Sequence, residues 1–86
     1  MQVRIPSVLF SYTGDRAEVE ASGATLGELL RDLDRRYPGF YFRVVDEQDR
    51  LRAHIQCFVS GAVARDLARP LAPDDRVMLV AALSGG

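Results

Sequence analysis

The sequence predicts an α+β domain in which a mixed sheet of four to five strands wraps one main helix. Short runs with a period of two mark strands at both ends of the chain and again in its second half. A single stretch, from Thr25 to Tyr37, carries a helical period and a cap at its start. At 86 residues the chain buries only roughly 60–65% of its unfolded surface, which allows one core and one covering helix.

Gln2 to Ile5 reads as the first strand, with Val3 and Ile5 on one face and Arg4 on the other. Pro6 cannot donate to a ladder and ends it. Ser7 to Asp15 is expected to be an irregular connection, closed by a turn at Thr13-Gly14-Asp15. From Arg16 to Ala21 the alternation resumes, placing Ala17, Val19 and Ala21 inward and Arg16, Glu18 and Glu20 outward.

Thr25 followed by Glu28 forms a capping box, each side chain satisfying a free backbone donor of the first turn. Leu26, Leu29, Leu30, Leu33 and Tyr37 then form one apolar stripe, with Arg31, Asp32, Asp34 and Arg35 expected on the solvent side. Pro38-Gly39 stops the helix. In the long connection from Phe40 to Ala53, Phe40, Phe42, Val44 and Val45 are expected to form an irregular or short helical cover for one edge of the core. Asp46 to Arg50 reads as a solvated tip.

His54 to Ser60 alternates without interruption, with Ile55, Cys57 and Val59 on one face and His54, Gln56 and Phe58 on the other. Ser60-Gly61 turns the chain, and Val63-Ala64 can form a short fourth strand. Leu67, Pro70 and Leu71 are expected to close over the core, and Pro73-Asp74-Asp75 to turn into the last strand. That strand, from Arg76 to Leu83, sets Val77, Leu79 and Ala81 against Met78, Val80 and Ala82.

The composition narrows the function. Net charge is −1 and no basic stripe exceeds Arg35-Arg36, so a nucleic-acid partner is not indicated. No run approaches the about 20 apolar residues of a membrane span, and Met1 to Ile5 lacks a signal-peptide core; a cytoplasmic protein is expected. One Cys and one His make neither a disulfide nor a metal site, and no bound cofactor is expected. Cys57 reads as a packing residue, and His54, with no nucleophile beside it, as a solvated one. All basic side chains are arginine, so no side-chain amine exists to form an isopeptide bond.

The sequence ends on Gly85-Gly86. Composition alone gives that pair odds of about one in two hundred. Two residues without Cβ make the thinnest backbone a chain can present, suited to threading a narrow slot and offering a carboxylate. Residues 1–83 are read as the folded domain, and 84–86 as a flexible tail.

The element order and the diglycine together resemble the β-grasp fold of ubiquitin-like proteins, and most closely the MoaD/ThiS family of sulfur carriers. The matching residues are Thr25-Leu26-Gly27-Glu28-Leu29-Leu30, Val59-Ser60-Gly61, Leu71-Ala72-Pro73-Asp74-Asp75-Arg76-Val77 and Leu83-Ser84-Gly85-Gly86. Ala81-Ala82 stands where molybdopterin-synthase small subunits usually place two prolines, and those often carry a Gly at Asp74 or Asp75. Thiamine-pathway carriers have a shorter connection after the helix. Ile5-Pro6-Ser7-Val8-Leu9 with Thr13-Gly14 looks closer to carriers that serve cysteine synthesis.

The resemblance implies a protein co-substrate, not an enzyme. An E1-like activating enzyme, using ATP and magnesium, would adenylate the Gly86 carboxylate, and sulfur would replace AMP to give a thiocarboxylate. A downstream sulfur-accepting enzyme would take that sulfur for molybdopterin, cysteine or thiamine synthesis. Leu83, Ser84 and Gly85 would be the tail that enters both enzymes. Two alternatives are a permanent small subunit of a molybdopterin-synthase-like complex and a β-grasp interaction module with an inert tail. If the helix covers the Ile55/Cys57/Val59 face, then Phe58, Met78 and Val80 point outward as the partner surface, unless the Phe40 to Ala53 connection covers them.

Overall fold

The computed structural model describes residues 1–82. Its five-stranded sheet has the order β2-β1-β5-β3-β4, with β1 at Gln2–Arg4, β2 at Glu18–Glu20, β3 at Ile55–Val59, β4 at Ala62–Val63 and β5 at Val77–Ala81. β1 and β5 run parallel side by side, and the remaining neighbours are antiparallel. This is the mixed sheet expected from the alternation.

The main helix, α2 (Leu26–Arg36), lies across the inner face. Thr25 Oγ1 accepts the Glu28 amide at 3.2 Å, and Glu28 Oε1 accepts the Ala24 amide at 3.2 Å. Two further first-turn donors are met by the loop before β5: Leu26 N–H reaches Arg69 O at 2.9 Å and Gly27 N–H reaches Leu67 O at 2.8 Å. The exposed start of the helix is thereby left with few unmet donors. Leu26, Leu29, Leu30 and Leu33 are all fully buried, at about 1.5–3 kcal/mol each before conformational entropy is subtracted. They meet Val3, Val19, Ile55, Cys57, Val59, Val77 and Leu79 from the sheet.

Several expectations require correction. Ser7 to Asp15 is not irregular: Ser7–Leu9 is a 3-10 turn and Phe10–Thr13 a short helix, α1. Leu9 is buried there, and Gly14, at φ 63°, ends α1 in the left-handed region. The second strand is shorter than the alternation suggests, and Ala17 just before it is exposed, although its carbonyl still accepts the Ile5 amide at 2.8 Å. Asp32 faces inward, 6% exposed, because it holds a backbone amide from the loop before α2. The fourth strand is Ala62–Val63, both exposed, whereas Ala64 packs in the core. A short helix, α3 (Phe40–Val44), covers the core edge through Phe40, Tyr41 and Val44, but Phe42 is 59% exposed.

Among the described residues no helix is long and apolar enough to cross a membrane. Among them, too, no group of three or more His, Cys, Asp or Glu side chains could hold a metal ion.

Candidate functional site: the outer sheet face and the root of the tail

The parity of β3 and β5 decides which side chains reach solvent. Phe58 lies opposite Met78, and Gln56 opposite Val80, in the antiparallel ladder. With Cys57 and Leu79 turned to the helix, these four share the outer face. Met78 and Val80 are 39% and 37% exposed, and Phe58 is half-buried. The connection from Phe40 to Ala53 leaves them uncovered. Beside them a groove of about 290 Å³ is lined by Phe58, Met78, Ser60, Arg4, Glu18 and Arg76 among others. Its lining combines apolar side chains with charges of both signs.

One end of this face is fastened by a clasp that sequence reasoning missed. Ser60 Oγ donates to Asp75 Oδ1 at 2.7 Å, and Asp75 Oδ2 accepts the Ala72 amide at 2.7 Å. The Ser60 amide meets Arg76 O at 2.7 Å. The Ala72 amide, and after it the Ser60 hydroxyl, hold the Asp75 carboxyl below its ordinary value. The clasp ties the β3–β4 turn to the start of β5. Its only sequence signal is the pairing of a turn residue, Ser60-Gly61, with a turn-forming Asp at a remote position.

The tail leaves from the opposite end. Ala81 pairs with Ile55, and the Ala82 amide donates to His54 O at 2.7 Å, so the chain is held in the ladder up to Ala82. Arg65 secures this end by donating from Nη1 to Ile55 O at 2.8 Å and from Nη2 to Leu51 O at 3.0 Å. No feature of the sequence singles out Arg65 for this role. The His54 side chain is exposed and just precedes β3, while its carbonyl anchors the tail root. Leu83, Ser84, Gly85 and Gly86 lie outside the described residues, as do the far end of the expected last strand and the tail read at 84–86.

Cys57 is fully buried, and burial pushes its thiol up to about 11. It packs against the helix and makes no reactive site.

The profile of the ThiS family matches residues 3–86. The chain belongs to the ThiS family. Among curated relatives of this ThiS-family chain, the sulfur carrier protein CysO of Mycobacterium tuberculosis is 34% identical over 89 residues, which span 98% of this chain and 96% of CysO. A chain in the crystal structure of the Amycolatopsis orientalis BexX/CysO complex superposes with a TM-score of 0.90 at 31% identity, covering 99% of this chain and 98% of that one. Crystalline SAMP1 from Haloferax volcanii gives 0.77 at 29% identity, covering 99% and 97%. The MoaD/ThiS resemblance and the β-grasp fold read from the sequence are therefore correct, and the chain is a ubiquitin-like protein of the sulfur-carrier type.

Proposed function

We propose that this chain is a protein co-substrate whose Gly86 carboxylate is adenylated by an ATP-dependent, E1-like activating enzyme and then converted to a thiocarboxylate. The observation that carries the reading is the ThiS-family match running through residue 86, so that Gly85-Gly86 lies within the matched residues. An α-carboxyl group, with a pKa of about 3.3–3.7, is ionised at neutral pH and is a poor electrophile. Its oxygen attacks the α-phosphorus of ATP and expels pyrophosphate. A sulfide sulfur then attacks the acyl carbon and AMP leaves with the bonding pair, giving the thiocarboxylate directly; a persulfide donor gives an acyl disulfide, which a second thiol must cleave to release the thiocarboxylate and a disulfide. The carrier contributes the terminal group and a surface for docking, while ATP and magnesium belong to the enzyme.

Phe58, Met78 and Val80 are the proposed contact for that enzyme and for the downstream sulfur-accepting enzyme. Leu83, Ser84 and Gly85 are the proposed tail that enters their active sites. Similarity to CysO favours delivery toward cysteine synthesis over the molybdopterin and thiamine routes. A second reading, attachment of the activated terminus to amines of other proteins, is favoured by the likeness to the small archaeal modifier protein SAMP1.

Intact-mass measurement decides between them. The chain, with an unmodified C-terminus, is incubated with an activating enzyme, ATP and a sulfide source. The expected result is a mass gain equal to sulfur replacing one oxygen, absent from the Gly86 deletion. Conjugates to added protein in place of that gain support the modifier reading, and an unchanged mass overturns both.

A further inference from the structure

A second surface, mixed in character but with two exposed apolar side chains, lies at the end of the sheet where the tail departs. Val8, from the turn after β1, and Phe42, from α3, are 57% and 59% exposed. Both line a groove of about 500 Å³ shared with Tyr12, Arg43, Arg52 and His54. His54 is the residue whose carbonyl holds Ala82, so the groove adjoins the tail root. Arg43 donates through Nε to the Tyr12 hydroxyl, with its guanidinium 5.6 Å from that ring's centroid. Arg52 donates through Nε to Phe42 O at 2.8 Å. Each guanidinium is thus fixed by one edge. Among the described residues, neither has a carboxylate partner, unlike Arg4, Arg31, Arg35 and Arg36. Among the described residues, no acidic one lines the groove.

Four residues separate Ala82 from the end of Gly86. Fully extended, they span at most roughly 13–14 Å. Any enzyme that seats Gly86 in its active site must therefore bring the mouth of that site against this end of the domain. The tail itself is a poor occupant, because ordering four residues costs more than one exposed ion pair returns.

We propose that the Val8/Phe42 groove is the docking seat for the rim of the enzyme that receives Gly86. That rim is acidic where it meets Arg43 and Arg52, and apolar where it covers Val8 and Phe42. The inference rests on the carrier reading, and it adds a second contact, distinct from Phe58, Met78 and Val80, that sets how the tail is aimed.

The test uses the activating enzyme that modifies the wild-type chain in the mass assay, with pyrophosphate release followed against carrier concentration. Arg43→Glu combined with Arg52→Glu is expected to raise KM about tenfold or more, leave kcat within about twofold, and flatten the salt dependence of kcat/KM. Val8→Asp, at an exposed side chain without polar contacts, is expected to raise KM similarly, and it carries the test if the double variant does not fold. Unchanged KM in folded variants overturns the seat while leaving the carrier reading intact. A raised KM with an unaltered salt slope overturns the acidic rim. No pyrophosphate release from the wild type, with any activator, overturns the carrier reading and the seat with it.

Discussion

The Ser22 amide donates to Asp32 Oδ2 at 2.9 Å, joining the loop before α2 to the middle of that helix. Arg35 Nη2 and Arg36 Nε approach the same carboxylate at 2.6 and 2.9 Å from the solvent side. The Ser22 hydrogen bond is the largest influence lowering the Asp32 pKa, followed by an opposing effect of burial and then by Arg36 and Arg35. Arg35 is largely exposed and Arg36 about half so, which screens both ion pairs, and the backbone bond dominates.

Asp32→Ala is expected to destabilise the domain by about 1.5–3 kcal/mol, the usual worth of a hydrogen bond to a charged group. Asp32→Asn keeps an acceptor for Ser22 and loses less. Because the folded-state pKa is depressed, the charge contributes its full stability above the unfolded value of about 3.9. That contribution is lost as pH falls through the lower folded value. Urea midpoints measured from pH 7 to pH 2 should therefore show the wild-type advantage over Asp32→Asn shrinking in acid; a constant gap would contradict the assignment.

Gly23 precedes α2 where the chain passes against the helix backbone. A Cβ there would lie 2.4 Å from Leu29 N and 2.8 Å from Glu28 C. Since backbone cannot step aside as a flexible side chain can, Gly23→Ala is expected to cost about 2 kcal/mol or more. Gly14→Ala provides the contrast. Its Cβ would meet nothing within 4 Å, and only the left-handed φ of 63° opposes it, at about 1 kcal/mol. Chemical denaturation of both variants should rank them in that order.

The legible parts of this chain were those governed by one local rule. The cap at Thr25 and Glu28, the leucine stripe and the alternation from Ile55 to Val59 each follow from spacing, and the structure repeats them. Asp32 was not legible, because its inward turn depends on an amide ten residues away. The 3-10 turn and α1 escaped notice because Ser7 to Thr13 is too short to display a helical period; the core packing of Leu9 and the local hydrogen bond from Thr13 Oγ1 to Arg16 O hold it. Phe58, Met78 and Val80 could be placed outward by parity alone. The groove of Val8, Phe42, Arg43 and Arg52 could not, since it joins segments more than 30 positions apart.

Parity also makes the outer face separable from stability. Met78 and Val80 are exposed and lie opposite the core side of β5. Met78→Asp and Val80→Asp are each expected to change stability by no more than about 1 kcal/mol, as surface substitutions do. With the activating enzyme they should lower kcat/KM about tenfold or more, mainly through KM. Thermal melting and steady-state kinetics on the same preparations separate the two effects. A large drop in melting temperature, or unaltered kinetics, would remove this face from the docking surface.

Cys57 gives the carrier reading a clean chemical readout. It is the only cysteine of the chain, it is fully buried, and its thiol is pushed up to about 11 by burial, with a smaller opposing influence from Arg69. Thiolate is the reactive form, so the folded protein should resist iodoacetamide at pH 8 and react once only after denaturation. A thiocarboxylate at Gly86 is ionised and would alkylate without unfolding. One native adduct on the sulfur-treated chain and none on the untreated chain is the expected mass pattern. The same burial has an alkaline signature. The unfolded thiol ionises near its ordinary value of 9.0 while the folded one stays neutral to about 11, so stability falls as pH rises across that window, by about 1.4 kcal/mol per unit. Denaturation of wild type and Cys57→Ala between pH 8 and 11 should show the wild type losing ground to the variant. Parallel curves, or native alkylation of the untreated chain, would mean that Cys57 is reachable from solvent.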